Sequence, residues 1–258
     1  MRLMKRILSA AAVLALSASL LVGCSSGTAS SVPVSASSAA ESTVSSVEET
    51  ASSAVDENEA AAAQLLNDLT GSYQELWPVI LADEYQQTWL DDCTALVGEE
   101  NAEAAFEKLS SMVTGDVYGE DAVKAYANGG GAYFCGFTNS LAILTFDGET
   151  STISGTDKDG NVLFSHTYHY IGMEPVHGLY EFKSDDADSG EFTYFFLAPD
   201  TSAETYHIEF RYGSDAEALS QYDAGEYAYW VASGISTDCD QTMIDNCIEL
   251  FCTENLAG

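Results

Sequence analysis

The segment Glu204–Tyr212 alternates polar side chains with aromatic and aliphatic ones, and two of the polar ones, His207 and Glu209, are metal ligands by type. Residues two apart on a strand share a face. An imidazole and a carboxylate would then stand side by side, half of a zinc or transition-metal site. Thr205 and Arg211 share that face, while Tyr206, Ile208, Phe210 and Tyr212 take the other. A complete site needs at least one more donor, and the candidates are the other histidines, His166, His169 and His177. His166 and His169 differ by three, so a single strand would point them in opposite directions. The same pattern equally describes a solvated strand face on which Arg211 pairs with Glu209 and competes with any cation.

Other chemistry finds little support. No Gly-x-Ser-x-Gly elbow, His-Glu-x-x-His helix, phosphate loop or dinucleotide glycine pattern occurs. Carboxylate pairs arise by chance among 41 acids and carry no weight, so the chain reads as a non-enzyme. Of six cysteines, Cys93, Cys135, Cys239, Cys247 and Cys252 fall in the C-terminal two thirds, with no Cys-x-x-Cys pair to suggest a thiolate zinc cluster. One or two disulfides involving the cysteine-rich tail are expected, with the connectivity open.

The elements that must position these groups begin after an address. Arg2, Lys5 and Arg6 precede an apolar stretch from Ile7 to Val22, the pattern of an export signal and too short for a comfortable permanent span. It ends in Leu21-Val22-Gly23-Cys24, which resembles the bacterial lipobox. That resemblance implies cleavage before Cys24, diacylglycerol on its sulfur, and attachment to the cell membrane through lipid alone. Residues 25–58 are Ser, Ala, Thr and Glu with few bulky apolar side chains, a disordered tether. Without the three signal bases, five Lys and Arg face 41 acids, a net charge of −36. Such a surface repels nucleic acid and anionic lipid, so neither is expected as a partner.

Residues 59–258 suffice for one domain with a substantial core. Helices are expected at Glu59–Leu69, Gln74–Ile80, Asn101–Met112 and Asp121–Ala127, with a helical turn at Asp215–Ser220 and a closing helix over Cys239–Phe251. Between them, 132–137, 141–146, 151–155, 162–170, 178–183, 191–198 and 204–212 read as seven strands separated by turn residues. The fold class is therefore α+β, mainly β: an antiparallel meander closing as a barrel, with N-terminal and C-terminal helices.

This domain resembles the ZinT family of extracytoplasmic zinc-recruitment proteins, whose barrel is lipocalin-like. Leu69-Thr-Gly-Ser-Tyr-Gln-Glu-Leu-Trp77-Pro78 is similar to the family's opening segment. Phe146–Gly160 is similar to its central hairpin. Phe192-Thr-Tyr-Phe-Phe-Leu-Ala198-Pro199, then His207-Ile-Glu209-Phe-Arg-Tyr-Gly213 and Asp215–Leu219, resemble two later strands and a helical turn. The resemblance implies zinc binding at three positions, which fall on Phe195, His207 and Glu209: one ligand lost, one kept, one exchanged for oxygen. It implies delivery of a divalent metal to the binding component of a membrane importer. Two other readings stay open. One is a barrel that has given up metal for a small apolar ligand, suggested by Phe192, Tyr194, Phe195, Phe196 and Tyr206. The other is a surface interaction module.

Overall fold

A first helix, α1 (residues 57–68), leads into β1 (Gly71–Glu75), and the chain then alternates helices and strands to its end. The computed structural model describes residues 57–200 and 202–257. The export signal, Cys24 and nearly all of the tether lie outside them; residues 57 and 58, assigned to the tether, are helical. Four helices follow β1: α2 (Leu76–Ile80), α3 (Gln86–Val97), α4 (Ala102–Val113) and α5 (Glu120–Ala127). Next come β2 (Ile143–Asp147), β3 (Thr152–Thr156), β4 (Val162–Thr167), β5 (His169–Met173), β6 (Tyr180–Lys183) and β7 (Tyr194–Leu197). A short turn of helix, α6 (Ser202–Thr205), precedes β8 (Ile208–Gly213). Then α7 (Ala216–Leu219), β9 (Ala232–Ser236) and the closing α8 (Gln241–Leu256) complete the order.

The nine strands form one antiparallel sheet in the order β4-β3-β2-β1-β9-β8-β7-β6-β5, curled into a nearly closed barrel with helices. Its two edges, β4 and β5, are consecutive in the chain and separated only by Tyr168. Side chains bridge the seam: Phe164 of β4 stacks on Phe192 at 3.9 Å between centroids, and the Tyr168 hydroxyl donates to the Phe192 carbonyl. Both edges also carry a register irregularity, between Gly155 and Thr156 where β3 meets β4, and between Tyr170 and Gly172 on β5. Bulges of this kind blunt a sheet edge against pairing with other chains.

Two apolar clusters divide the interior. The first, inside the barrel, gathers Leu65, Leu66 and Leu69 of the α1 region with Tyr73, Leu144, Phe146, Ile153, Phe164, Phe182, Phe195, Phe210, Tyr212 and Trp230. Phe195 lies 5.4 Å from Tyr212 and 6.3 Å from Phe210, all three rings nearly parallel. Of the rings that suggested an apolar ligand, Phe192, Phe195 and Phe196 are buried in this cluster with Tyr194 against it, while Tyr206 packs on the second. The second cluster lies outside the sheet, where Trp77, Trp89, Cys93, Leu109, Ile244, Cys247, Ile248 and Cys252 of the helices cover Ile235 and Cys135. The sheet is thus covered on both faces near β9 and β8. Among the described residues no helix is long and apolar enough to cross a membrane.

Several expectations need correction. Residues 132–137 are not a strand; Phe134 makes only isolated bridges, to Thr114 and Trp230. The run 162–170 divides at Tyr168, whose side chain turns inward. Residues 190–192 form a helical turn ahead of β7, and 202–205 form α6 ahead of β8, so both of those strands start later than the pattern suggests. Strands β1 and β9 and helix α3 were not anticipated. The five described cysteines are free thiols in this structure.

Candidate metal centre

The turn that presents His207 is tightly tied. Tyr206 sits at φ 66°, a left-handed conformation uncommon for a bulky side chain. It folds residues 205–207 back on themselves, so Thr205 Oγ1 donates to the His207 carbonyl at 2.7 Å. The His207 ring in turn hydrogen-bonds the Thr205 carbonyl through Nδ1, also at 2.7 Å. A carbonyl only accepts, so Nδ1 carries the proton and Nε2 is the nitrogen left for other chemistry. Fixing one ring nitrogen on a backbone carbonyl is the usual way a ligating histidine is oriented.

Nε2 lies 3.9 Å from Glu209 Oε1, with the two side chains 19% and 26% exposed. The pair therefore faces neither the barrel interior nor open solvent. It looks into the crevice where α8 crosses β8, and α8 contributes Cys247 as a hydrogen-bond partner of His207. The helix reaches that place because Asp240 caps it, accepting from the Met243 amide at 2.9 Å. Cys247 and Glu254 are seven residues apart, two helical turns, and so lie on one face of α8.

The β7–β8 ladder brings a further acid. Phe195 pairs with Tyr212 and Leu197 with Phe210, and the Ala198 amide donates to the Glu209 carbonyl at 3.0 Å. Continued past Pro199, that register sets Asp200 beside His207. The same register answers the resemblance: Phe195 lies opposite Tyr212, five residues and about 16 Å along the strand from His207. A histidine in place of Phe195 would not meet the His207 imidazole.

Electrostatically the crevice holds too much negative charge. Burial pushes the carboxyl groups of Asp200, Glu209 and Glu254 above their ordinary range, and the His207 charge pulls each back down. Glu254 and Asp200 add repulsion at Glu209. Burial alone would depress His207. Its neighbours Cys247 and Glu209, with the Thr205 carbonyl, outweigh it and hold the imidazole at about 9. Cys135 lies close enough to Glu209 for the carboxylate to add to the effect of burial, both raising its thiol.

Arg211 does not pair with Glu209. It is fully buried, donates to the carbonyls of Leu219, Gln221 and Tyr227, and lies over the Tyr222 ring at 4.2 Å. The face shared by His207, Glu209 and Arg211 is accordingly not solvated. The remaining histidines engage acids of their own. His166 Nδ1 meets Asp186 Oδ2 at 2.9 Å, His169 Nδ1 lies 3.8 Å from Asp185, and His177 Nδ1 lies 3.4 Å from Glu174. His166 and His169 sit on different strands, so their opposed environments come from the turn at Tyr168 and not from alternation along one strand.

Among the described residues, no three His, Cys, Asp or Glu side chains stand in a geometry that could hold a metal ion. The donor types nevertheless suit a borderline cation: the imidazole interacts with both a carboxylate, Glu209, and a thiol, Cys247. Asp200, Cys247 and Glu254 escaped the sequence reading. Only the Cys247–Phe251–Glu254 spacing, one face of a helix, offered a signal.

No protein-family model matches the chain, and neither does any curated protein. Among solved structures, the Zn(II)-bound ZinT-like domain of Streptococcus pneumoniae AdcA is similar with a TM-score of 0.46 and 15% identity, over 72% of this chain and 89% of that one. Zn(II)-bound AdcA from Streptococcus pneumoniae aligns with a TM-score of 0.43 and 14% identity, over 70% of this chain. The match spans 34% of the AdcA chain.

Proposed function

We propose that the chain is a divalent-metal-binding barrel, selective for zinc, with His207 and Glu209 as ligands and Cys247 drawn in as a third donor when the ion arrives. The observation that carries this reading is the crevice itself: three carboxyl groups raised above their ordinary range, Asp200 and Glu209 half-buried and Glu254 at the exposed rim, share a single imidazolium as their cation. A doubly charged ion at Nε2 would replace one proton and answer that excess. The tied Nδ1 means Nε2 is already oriented for the ion once it gives up its proton, so binding requires movement of the Cys247 or Glu254 side chain and not of the histidine. The ligand set favours zinc over magnesium or calcium, which prefer oxygen donors.

Around this site the proposed organisation is an export signal over residues 1–24, a lipid on Cys24, a tether over 25–58 and the barrel over 59–258. An anchored, strongly acidic domain suits a protein that gathers cations outside the cell and passes them to an importer's binding component. The test is calorimetric titration of the full-length chain with zinc. Saturable 1:1 binding tighter than about 10 μM, weakened at least tenfold or so in His207→Ala, is expected. No saturable heat, or binding indifferent to His207→Ala, would overturn the reading.

A further inference from the structure

Two cysteines that the metal reading does not use face each other across the helical layer. Cys93 of α3 and Cys252 of α8 have their sulfur atoms 3.9 Å apart, and both side chains are fully buried. From these positions we infer that Cys93 and Cys252 form a disulfide, a covalent staple between α3 and the closing helix, while Cys247 stays a thiol beside His207.

The geometry requires little. A disulfide places its sulfurs about 2.05 Å apart, so a closure of roughly 1.9 Å is needed, within reach of small side-chain rotations. They are 159 apart in residue number, so the bond would close most of the domain into one loop. Helical geometry sorts the two tail cysteines. Ile244, Ile248 and Cys252 fall at successive i, i+4 positions, while Cys247 is five residues from Cys252, turned about 140° away. One face of α8 meets α3 and the other meets β8. The α3–α8 contact also carries like charge on both sides, with Asp92 of α3 repelled by Glu249 and Asp245 of α8. A covalent bond would hold the helices together against that repulsion.

The reaction consumes one disulfide oxidant, either a disulfide-bearing oxidoreductase or oxidised glutathione. The Cys252 thiolate attacks one oxidant sulfur and expels a thiolate, giving a mixed disulfide. The Cys93 thiolate then attacks Cys252 Sγ and expels the second thiolate. The two protons from Cys93 and Cys252 end on the oxidant's thiols, which take up the two electrons. Burial raises both thiols in the folded chain, so the exchange belongs to the moment when α8 docks, and the finished bond is shielded from reductant afterwards.

Refolding the full-length chain from denaturant in a mixed glutathione buffer, followed by alkylation under denaturing conditions and peptide mapping, tests this. The expected product has lost about 2 Da, yields a linked peptide pair containing Cys93 and Cys252, and leaves Cys247 alkylated. It should melt on the order of 10 °C above the reduced chain. A bond joining Cys239 to Cys247, or alkylation of both Cys93 and Cys252, would overturn the inference. Circular dichroism of Cys93→Ser and of Cys93→Ser/Cys252→Ser checks that loss of the link is not loss of fold. The double variant should still titrate with zinc, so failure here and failure of the metal reading are separately visible.

Discussion

His207 and Thr205 hold one another through two hydrogen bonds, ring nitrogen to carbonyl and hydroxyl to carbonyl, both at 2.7 Å. The imidazole therefore has one orientation, with Nε2 turned toward Glu209. Replacing Thr205 by Val keeps the shape and removes the hydroxyl bond, loosening the turn. Zinc affinity should fall about 3- to 10-fold, a partial loss typical of groups that orient a ligand. Calorimetry on Thr205→Val beside His207→Ala ranks the two; equal losses would contradict an orienting role.

Cys247 distinguishes a soft site from a hard one. Cys247→Ser keeps a small polar side chain but not a thiolate, so zinc binding should weaken about 10- to 100-fold while weak magnesium or calcium binding stays unchanged. Parallel titrations with the two kinds of ion read this directly.

Proton binding gives a pH prediction. Folded His207 keeps its proton up to about 9, against an ordinary 6.5. Its contribution to stability is thus complete below 6.5 and lost as the pH rises through 9. The raised carboxyls of Asp200, Glu209 and Glu254 act in the same direction from lower pH, because the folded chain again holds more protons than the unfolded one. Without metal, the stability advantage of wild type over His207→Gln, measured by urea unfolding, should shrink steadily from about pH 6 to pH 9. An advantage that grows over that interval would mean the imidazolium is not stabilised by its neighbours.

Arg211 is a separate structural test. Its guanidinium gathers the carbonyls of Leu219, Gln221 and Tyr227, spanning the loop that leads to β9. Arg211→Ala should cost about 3–5 kcal/mol in urea unfolding. Arg211→Lys should recover only part of that, since an ammonium lacks the planar fork.

Restoring the histidine expected at Phe195 should not build a better metal site. The Phe195 side chain is fully buried against Tyr212 and Phe210, on the barrel side, away from the crevice under α8. Phe195→His should lower stability by about 2–4 kcal/mol and leave zinc affinity within about twofold. A marked gain in affinity would mean the strand register differs from the one described.

How far the sequence disclosed this arrangement depended on side-chain size. Strands β2 and β6 were legible because large residues alternate there, β3 because glycines and the Asp157–Gly160 turn bracket it, and α8 because its apolar spacing is helical. β9 was not: Ala232-Ser-Gly-Ile-Ser236 has no alternation, since it is buried on both faces and Gly234 lies so close to Ile208 that an added methyl would sit 3.1 Å from it. β1 was masked by helical runs on either side, with Tyr73 its only buried residue. Helix α3 buries just Trp89 and Cys93, too sparse a stripe to stand out. His207 and Glu209 could be singled out by residue type, but what surrounds them could not. Asp200 arrives by strand register and Cys247 by the docking of the last helix, and neither relation exists along the chain.

The placement of β4 and β5 at opposite margins of the sheet has a mechanical meaning. These neighbours in sequence form the two sides of the seam, with Val162, Leu163, Ile171 and Met173 exposed along them. If the cylinder breathes, it should part there, and either lip in peeling away drags on the other through Tyr168. β8 is three strands in from β5 and five from β4. The fold thereby keeps its softest line well away from the strand that carries His207 and Glu209, and amide exchange should be fastest at the lips and slowest at β8 and β9.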